Sequence, residues 1–168
     1  MMSNCNRILL VIATLLASLP SVADTLQGRV VGVTDGDTVT VLDASNIQFK
    51  IRLMGIDSPE KKQAFGNSAK QSLSDLVFNK QVTIEYSKKD RYGRTIGKIV
   101  VDGVDANLEQ VKKGMAWHYK KYQNEQSISD RSIYAQAEEQ AKLKKQGLWF
   151  ENMPIAPWVW RKRGKVKE

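Results

Sequence analysis

Five short strand-forming runs, broken once by a helical run, leave this chain few folds to adopt. Residues 26–34 are rich in valine and stop at the turn signal Asp35-Gly36. Residues 38–43 form a second run, with Ala44-Ser45-Asn46 as the turn behind it. In the third, Ile47, Phe49, Ile51 and Leu53 alternate with Gln48, Lys50 and Arg52, which gives one buried and one polar face. Arg52 ends that polar face. Pro59 disfavours helix at Ser58, and the spacing of Ala69, Leu73, Leu76 and Val77 predicts a helix over 67–78. Val82, Ile84 and Tyr86 alternate again, residues 88–94 read as a charged hairpin loop, and residues 95–101 form the fifth run. Two helices follow. One covers 105–113 and stops at Gly114; the other covers 129–146, with Ile133, Tyr134, Ala137 and Ala141 on one side, and stops at Gly147. Ser129 or Asp130 is its expected cap.

This order predicts an α+β domain, mainly β. The matching architecture is a five-stranded OB-type Greek-key barrel with three helices, a layout that often binds nucleic acids or saccharides on one face. Ahead of it, Arg7, the apolar run 8–19 and Ser21-Val22-Ala23 have the form of a secretory signal peptide cleaved after Ala23. The expected division is 1–23 leader, 24–150 barrel domain, and 151–168 a Trp/Pro segment with a basic tail. The apolar run is too short to span a bilayer comfortably, and no second long one follows, so no membrane span is expected after cleavage. The expected location is secreted or periplasmic. Cys5 is the sole cysteine, so the mature chain enters an oxidising compartment without disulfides. A domain of this size can bury roughly 68–70% of its extended-chain surface and needs no staples. With one histidine and no mature cysteine, a zinc site of the usual spacing is excluded. The formal charge of +8 points to a polyanionic partner.

The chemistry-bearing residues lie at strand ends and turns. Asp37 and Asp57 follow or flank Gly36 and Gly55, and two carboxylates with a backbone carbonyl and water suit a loosely held Ca²⁺. Taken singly, Asp35-Gly36 is also an ordinary hairpin turn and Asp57 an Asx-turn before Pro59. Glu60 is ionised at neutral pH and is a candidate base or water-orienting group; it is equally a first-turn helix acid. Arg52 and Arg94 are candidate phosphate clamps, or alternatively a solvated strand face and a hairpin tip.

Together, Asp35-Gly-Asp37-Thr38-Val39, Arg52…Asp57-Ser58-Pro59-Glu60, Asp90-Arg-Tyr-Gly-Arg94, Asn107-Leu-Glu-Gln-Val-Lys-Lys-Gly114 and the helix end at Ala137–Trp149 resemble the staphylococcal nuclease family. The resemblance runs over residues 26–149. It implies an OB-type barrel with three helices, and endonucleolytic cleavage of DNA and RNA to 3′-phosphate and 5′-hydroxyl ends. It implies Ca²⁺ ligation by Asp37, Asp57 and the Ser58 carbonyl, with Asp35 supporting the metal site from behind. Glu60 takes the base or water-positioning role, and Arg52 and Arg94 hold the phosphate. Ser58 stands where the family often has threonine, a change that a carbonyl ligand tolerates. The short loop after Glu60 and the altered hairpin before Arg94 bear on substrate preference.

Trp117, Tyr119 and Tyr122 surround His118 and neighbour Lys120 and Lys121. Aromatics beside cations can stack a base and hold a phosphate. Tyr119 and Tyr122 are both candidates for nucleotide contact, and His118 is expected to be non-catalytic. The tryptophans of 154–161 are expected to pack back on the domain, and the basic run after them to be a solvated tail. No protein partner is inferred, and a monomer is expected. The competing reading is a non-catalytic OB-fold protein that binds single strands; a third is an anionic-glycan binder. Carboxylates beside phosphate speak for the enzyme, since a pure binder gains nothing from them.

Overall fold

A computed structural model describes residues 24–165. The expected leader, its cleavage after Ala23 and the last three residues of the basic tail lie outside the described residues. Strand β1 (Asp24–Asp35) pairs with β2 (Thr38–Leu42) on one edge and with β5 (Gln81–Lys89) on the other. Two register shifts, at Val30/Gly32 and Val33/Asp35, mark bulges on this long strand, and bulges bend and twist a strand enough to curl its sheet. β3 (Gln48–Leu53) follows β2, and β6 (Thr95–Val101) follows β5. A parallel pairing of β3 with β6 closes the barrel: Ile51 faces Thr95 and Arg52 faces Ile96. Two short pairs complete the sheets. β7 (Val104–Asp105) extends β6, and β4 (Ile56–Asp57) pairs with β8 (Trp117–His118).

Among the described residues four α-helices flank the barrel: α1 (Gly66–Val77), α2 (Ala106–Lys112), α3 (Ile128–Leu143) and α4 (Pro157–Lys165). The fourth is one more than expected, since Pro157 is a good first helical residue and the basic run continues it. No helix of the described residues is long and apolar enough to cross a membrane. Val30, Val39, Val41, Ile51, Leu53, Ile84 and Ile99 fill the barrel, and Leu73 and Val77 of α1 cover its end. Each such side chain contributes about 1.5–3 kcal/mol on burial.

Local departures from the expected boundaries have simple causes. β3 starts at Gln48, leaving Ile47 54% exposed. It follows Asn46, whose positive φ of 59° belongs to the turn. The α3 cap is Ser127 rather than Ser129 or Asp130: its hydroxyl accepts the Asp130 N–H at 3.0 Å. Tyr134, Glu138 and Ala141 form the buried side of α3, while Ile133 is outward.

Two buried amides on α2 tie the barrel rim together. The Asn107 amide nitrogen donates to the carbonyls of Met54 (3.0 Å) and Gly97 (3.1 Å), and its oxygen accepts the Ile99 N–H at 3.1 Å. The Gln110 amide nitrogen donates to the carbonyls of Gly36 and Ala69, each at 2.9 Å, and its oxygen accepts the Ser72 hydroxyl at 2.7 Å. Gly36 is required there for space: a Cβ would lie 2.6 Å from that of Ala69 and 2.8 Å from that of Ser58. Replacing Gln110 by Met keeps volume but strands the Gly36 carbonyl, unpairs the Ser72 hydroxyl and removes one of two bonds to the Ala69 carbonyl. A loss of about 3 kcal/mol is expected, measured as a lower urea midpoint with an unchanged slope.

Candidate active site

The two acidic segments meet because the barrel closes. Asp37 sits after the β1–β2 turn, where Asp35 Oδ1 accepts its N–H at 3.1 Å. Asp57 ends β4, held by the Asn107 staple upstream and the β8 pairing. Ser58 locks the two turns together: its N–H donates to Asp37 Oδ2 at 2.7 Å, and its hydroxyl donates to the Met115 carbonyl at 3.1 Å. Both carboxylates are buried.

Arg52 lies between them. One guanidinium nitrogen is 2.8 Å from Asp37 Oδ2, and another is 2.8 Å from Asp57 Oδ1. The expected end of a polar face is thus an inward pair of ion bridges, not a solvated arginine. Burial pushes the Asp37 carboxyl up to about 8, with Asp35 and Asp57 adding to the shift and Arg52 and the Ser58 N–H opposing it.

Glu60 opens onto the same cleft after the Pro59 break, with its N–H donating to Gln63 Oε1 at 3.1 Å. Arg94 enters from the β5–β6 hairpin, one residue before β6. Asp90 orients it through Nε and Nη2, each at 2.7 Å from Oδ2. The closure register sets Thr95 beside Ile51, and Arg94, just before it, lines the same cleft as Arg52. Arg52, Arg94, Asp37, Asp57, Ser58 and Glu60 all line one cleft of about 1240 Å³, and Asp35 lines it too.

Aromatic rings form the opposite wall. Tyr119 and Tyr122 meet edge to face at 5.0 Å between ring centres. Burial, with the Asp57 charge second, raises the Tyr119 phenol above its ordinary value, so it stays neutral. His118, expected to be non-catalytic, is 2% exposed, and its Nε2 lies 2.9 Å from Gln126 Oε1. Trp117 packs edge-on against Trp149 at 5.1 Å.

Sequence reasoning missed several cleft residues. Tyr92, at the hairpin tip, is 69% exposed and flanked by the Arg91 and Arg94 guanidiniums at 4.8 and 5.6 Å. Its place between two arginines was the available signal. Trp158 and Arg161 come from α4. Trp158 stacks on Tyr119 at 5.1 Å with rings 9° apart. Arg161 donates to Asp57 Oδ2 and Glu60 Oε1, both at 2.7 Å. The basic run is therefore not a solvated tail at Arg161, because buried Asp57 and half-buried Glu60 draw it in.

The donor set fits a hard divalent cation. Asp37 and Asp57 converge closely enough to share one guanidinium, and the nearby donors are oxygens, as a hard cation requires. Among the described residues, no three His, Cys, Asp or Glu gather as a metal cluster. The protein ligands would be the two carboxylates and the Ser58 carbonyl.

Comparison with known proteins agrees with this arrangement. A family model described as "Staphylococcal nuclease homologue" matches residues 50–151. The chain is 45% identical over 158 residues to an uncharacterized endonuclease of Haemophilus influenzae, covering 94% of this chain and 84% of that one. It is 39% identical over 147 residues to an uncharacterized endonuclease of Escherichia coli O157:H7, covering 87% of this chain and 92% of the relative. A micrococcal nuclease of Shigella flexneri is 36% identical over 160 residues, covering 90% and 88%.

Burial lowers His118 from its ordinary value of 6.5, and Lys120 adds to this; the Gln126 hydrogen bond and the Glu138 charge work the other way. The folded state thus favours neutral His118. Its stabilising contribution is complete above about pH 6.5 and is lost as pH falls from there through the lower folded value. His118→Gln should flatten the fall in urea midpoint between about pH 7 and pH 5. An unchanged slope would show that other groups dominate that window.

Proposed function

The chain belongs to the staphylococcal nuclease family and is a nuclease, and we propose that it is an exported, Ca²⁺-dependent endonuclease that cuts DNA and RNA with little sequence preference. One observation carries this reading. Asp37 and Asp57 share the Arg52 guanidinium, while Asp57 and Glu60 share that of Arg161, so three acids converge in one cleft beside Arg94.

Asp37, Asp57 and the Ser58 carbonyl would hold the cation. Bound there, Ca²⁺ would neutralise phosphate charge and polarise a phosphoryl oxygen. Glu60 accepts a proton from, or orients, the attacking water. Arg52 and Arg94 bind the phosphate oxygens and stabilise charge developing on the phosphoryl group. Asp35 keeps the Asp37 backbone in place. Tyr119 and Tyr122 offer ring faces and edges to bases, and the rim lysines Lys88, Lys120 and Lys121 carry backbone phosphates without reading sequence. Family resemblance supports 3′-phosphate and 5′-hydroxyl products. The leader-like residues 1–23 support export, and the protein is taken to act as a monomer.

Purified protein should nick and degrade plasmid DNA in Ca²⁺ and stop when the ion is chelated. Glu60→Gln, Arg52→Ala and Arg94→Ala should each slow cleavage by about 10²–10³, and products should need phosphatase before polymerase extension. Cleavage indifferent to chelator, or to all three substitutions, defeats the mechanism. Export predicts a secreted or periplasmic form whose N-terminus is Asp24, read by mass spectrometry; an intact Met1 on the exported protein contradicts it.

A further inference from the structure

α4 is built as an insertion into the active cleft. The chain turns back after the 3₁₀ turn Gly147–Phe150. The Gln63 amide, just beyond Glu60, donates to the Ile155 carbonyl and pins the returning segment beside the catalytic loop. Trp160 borders a small hollow with Phe65, Trp117 and Leu148. Trp158 lies flat on Tyr119 and edge-on to Trp117 at 6.2 Å. Arg161, three residues after Trp158, shares its side of the helix.

The Arg161 contacts are unusually complete for a residue near a chain end. Nη2 donates to Asp57 Oδ2 at 2.7 Å, and Nη1 donates to Asp57 Oδ1 at 3.2 Å and to Glu60 Oε1 at 2.7 Å. The planar fork matches the Asp57 carboxylate bidentately. Asp57 Oδ1 also receives Arg52 at 2.8 Å. Both oxygens of a buried carboxylate are thus engaged by guanidinium groups. Arg52 is held within the barrel with 14% of its side chain exposed, whereas 41% of the Arg161 side chain is exposed. Of the two, Arg161 is the one that can leave.

We propose that Arg161 sets the divalent-ion affinity of the cleft, acting as a tethered cation that competes with Ca²⁺ for Asp57 and Glu60. The inference rests on Asp57 being a ligand of that ion. Ion entry expels the guanidinium, because a divalent cation needs the lone pairs that Arg161 holds. Expulsion also frees Glu60 to engage water, and it loosens the helix that covers the face of Tyr119. The cleft is thereby charge-balanced without the ion and opens when the ion arrives.

The test is isothermal titration calorimetry of the purified full chain with CaCl₂, without nucleic acid. Arg161→Gln should bind Ca²⁺ about three- to tenfold more tightly, as expected from removing a half-exposed ion pair. Arg161→Lys, which keeps charge but loses the fork, should fall between wild type and Gln. Unchanged or weaker Ca²⁺ binding in Arg161→Gln overturns the proposal, since a purely structural arginine would produce one of these. Asp57→Asn separates the two levels. If it binds Ca²⁺ as wild type does, the metal-site reading and this proposal fall together. If it does not, the metal-site reading stands and the Arg161 variants alone decide.

Discussion

The buried carboxamides of Asn107 and Gln110 let the rim of this barrel be irregular and dry at once. The turns that carry Asp37 and Asp57 leave carbonyls without ladder partners, and a stranded buried carbonyl costs about 1–3 kcal/mol. Asn107 takes the Met54 carbonyl and adds a second bond to that of Gly97, and Gln110 takes the Gly36 carbonyl and ties it to that of Ala69 in α1. With those groups satisfied, both turns can press inward until their carboxylates are almost out of water. Burial then raises Asp37, and the Arg52 guanidinium opposes that shift. The placement of Arg52, the convergence of the acids and the attraction of Arg161 all follow from that dryness.

The strands and the acid positions were legible because they depend on local rules. Period-two alternation placed Ile51 and Leu53 in the core and Arg52 on the other face, and the structure agrees for all three. Asp-Gly and Gly-x-Asp turns marked Asp37 and Asp57. The direction in which Arg52 points was not legible, since alternation separates faces without saying which face is solvated. Asn107 and Gln110 were invisible for a related reason. Polar residues on a short helix read as its wet side, and only tertiary packing shows that α2 turns them inward. Ile47 and Ile133 failed in the opposite sense, as apolar residues left outside by a turn and by the phase of α3.

Arg161 was the largest miss, and its cause is electrostatic. A basic run beyond the last core helix reads as solvated because exposed lysines and arginines have no reason to order. That expectation assumes no unmet charge nearby. Here Asp57 and Glu60 offer a fork-shaped acceptor within reach of α4, and the tryptophans anchor the helix close enough to use it. A local composition rule gave way to a field set by residues a hundred positions earlier.

Arg52, Arg94 and Arg161 divide by what holds them. Asp90, a hairpin acid outside the proposed ligand set, orients Arg94, so its position does not depend on the charge of Asp57. Arg52 is bound to both proposed ligands and is buried with them. Buried ion pairs add little net stability, because desolvation offsets their attraction, so the fold alone gives no reason to keep Arg52 there. A phosphodiester supplies the reason. It brings negative charge into a cleft whose acids are already compensated, and it needs guanidiniums that are present before it arrives. Arg161 completes that compensation from the solvent side, where its pair is weakest and exchange is easiest. On the proposed reading, Arg52 and Arg94 serve the substrate, and Arg161 governs what the acids can bind.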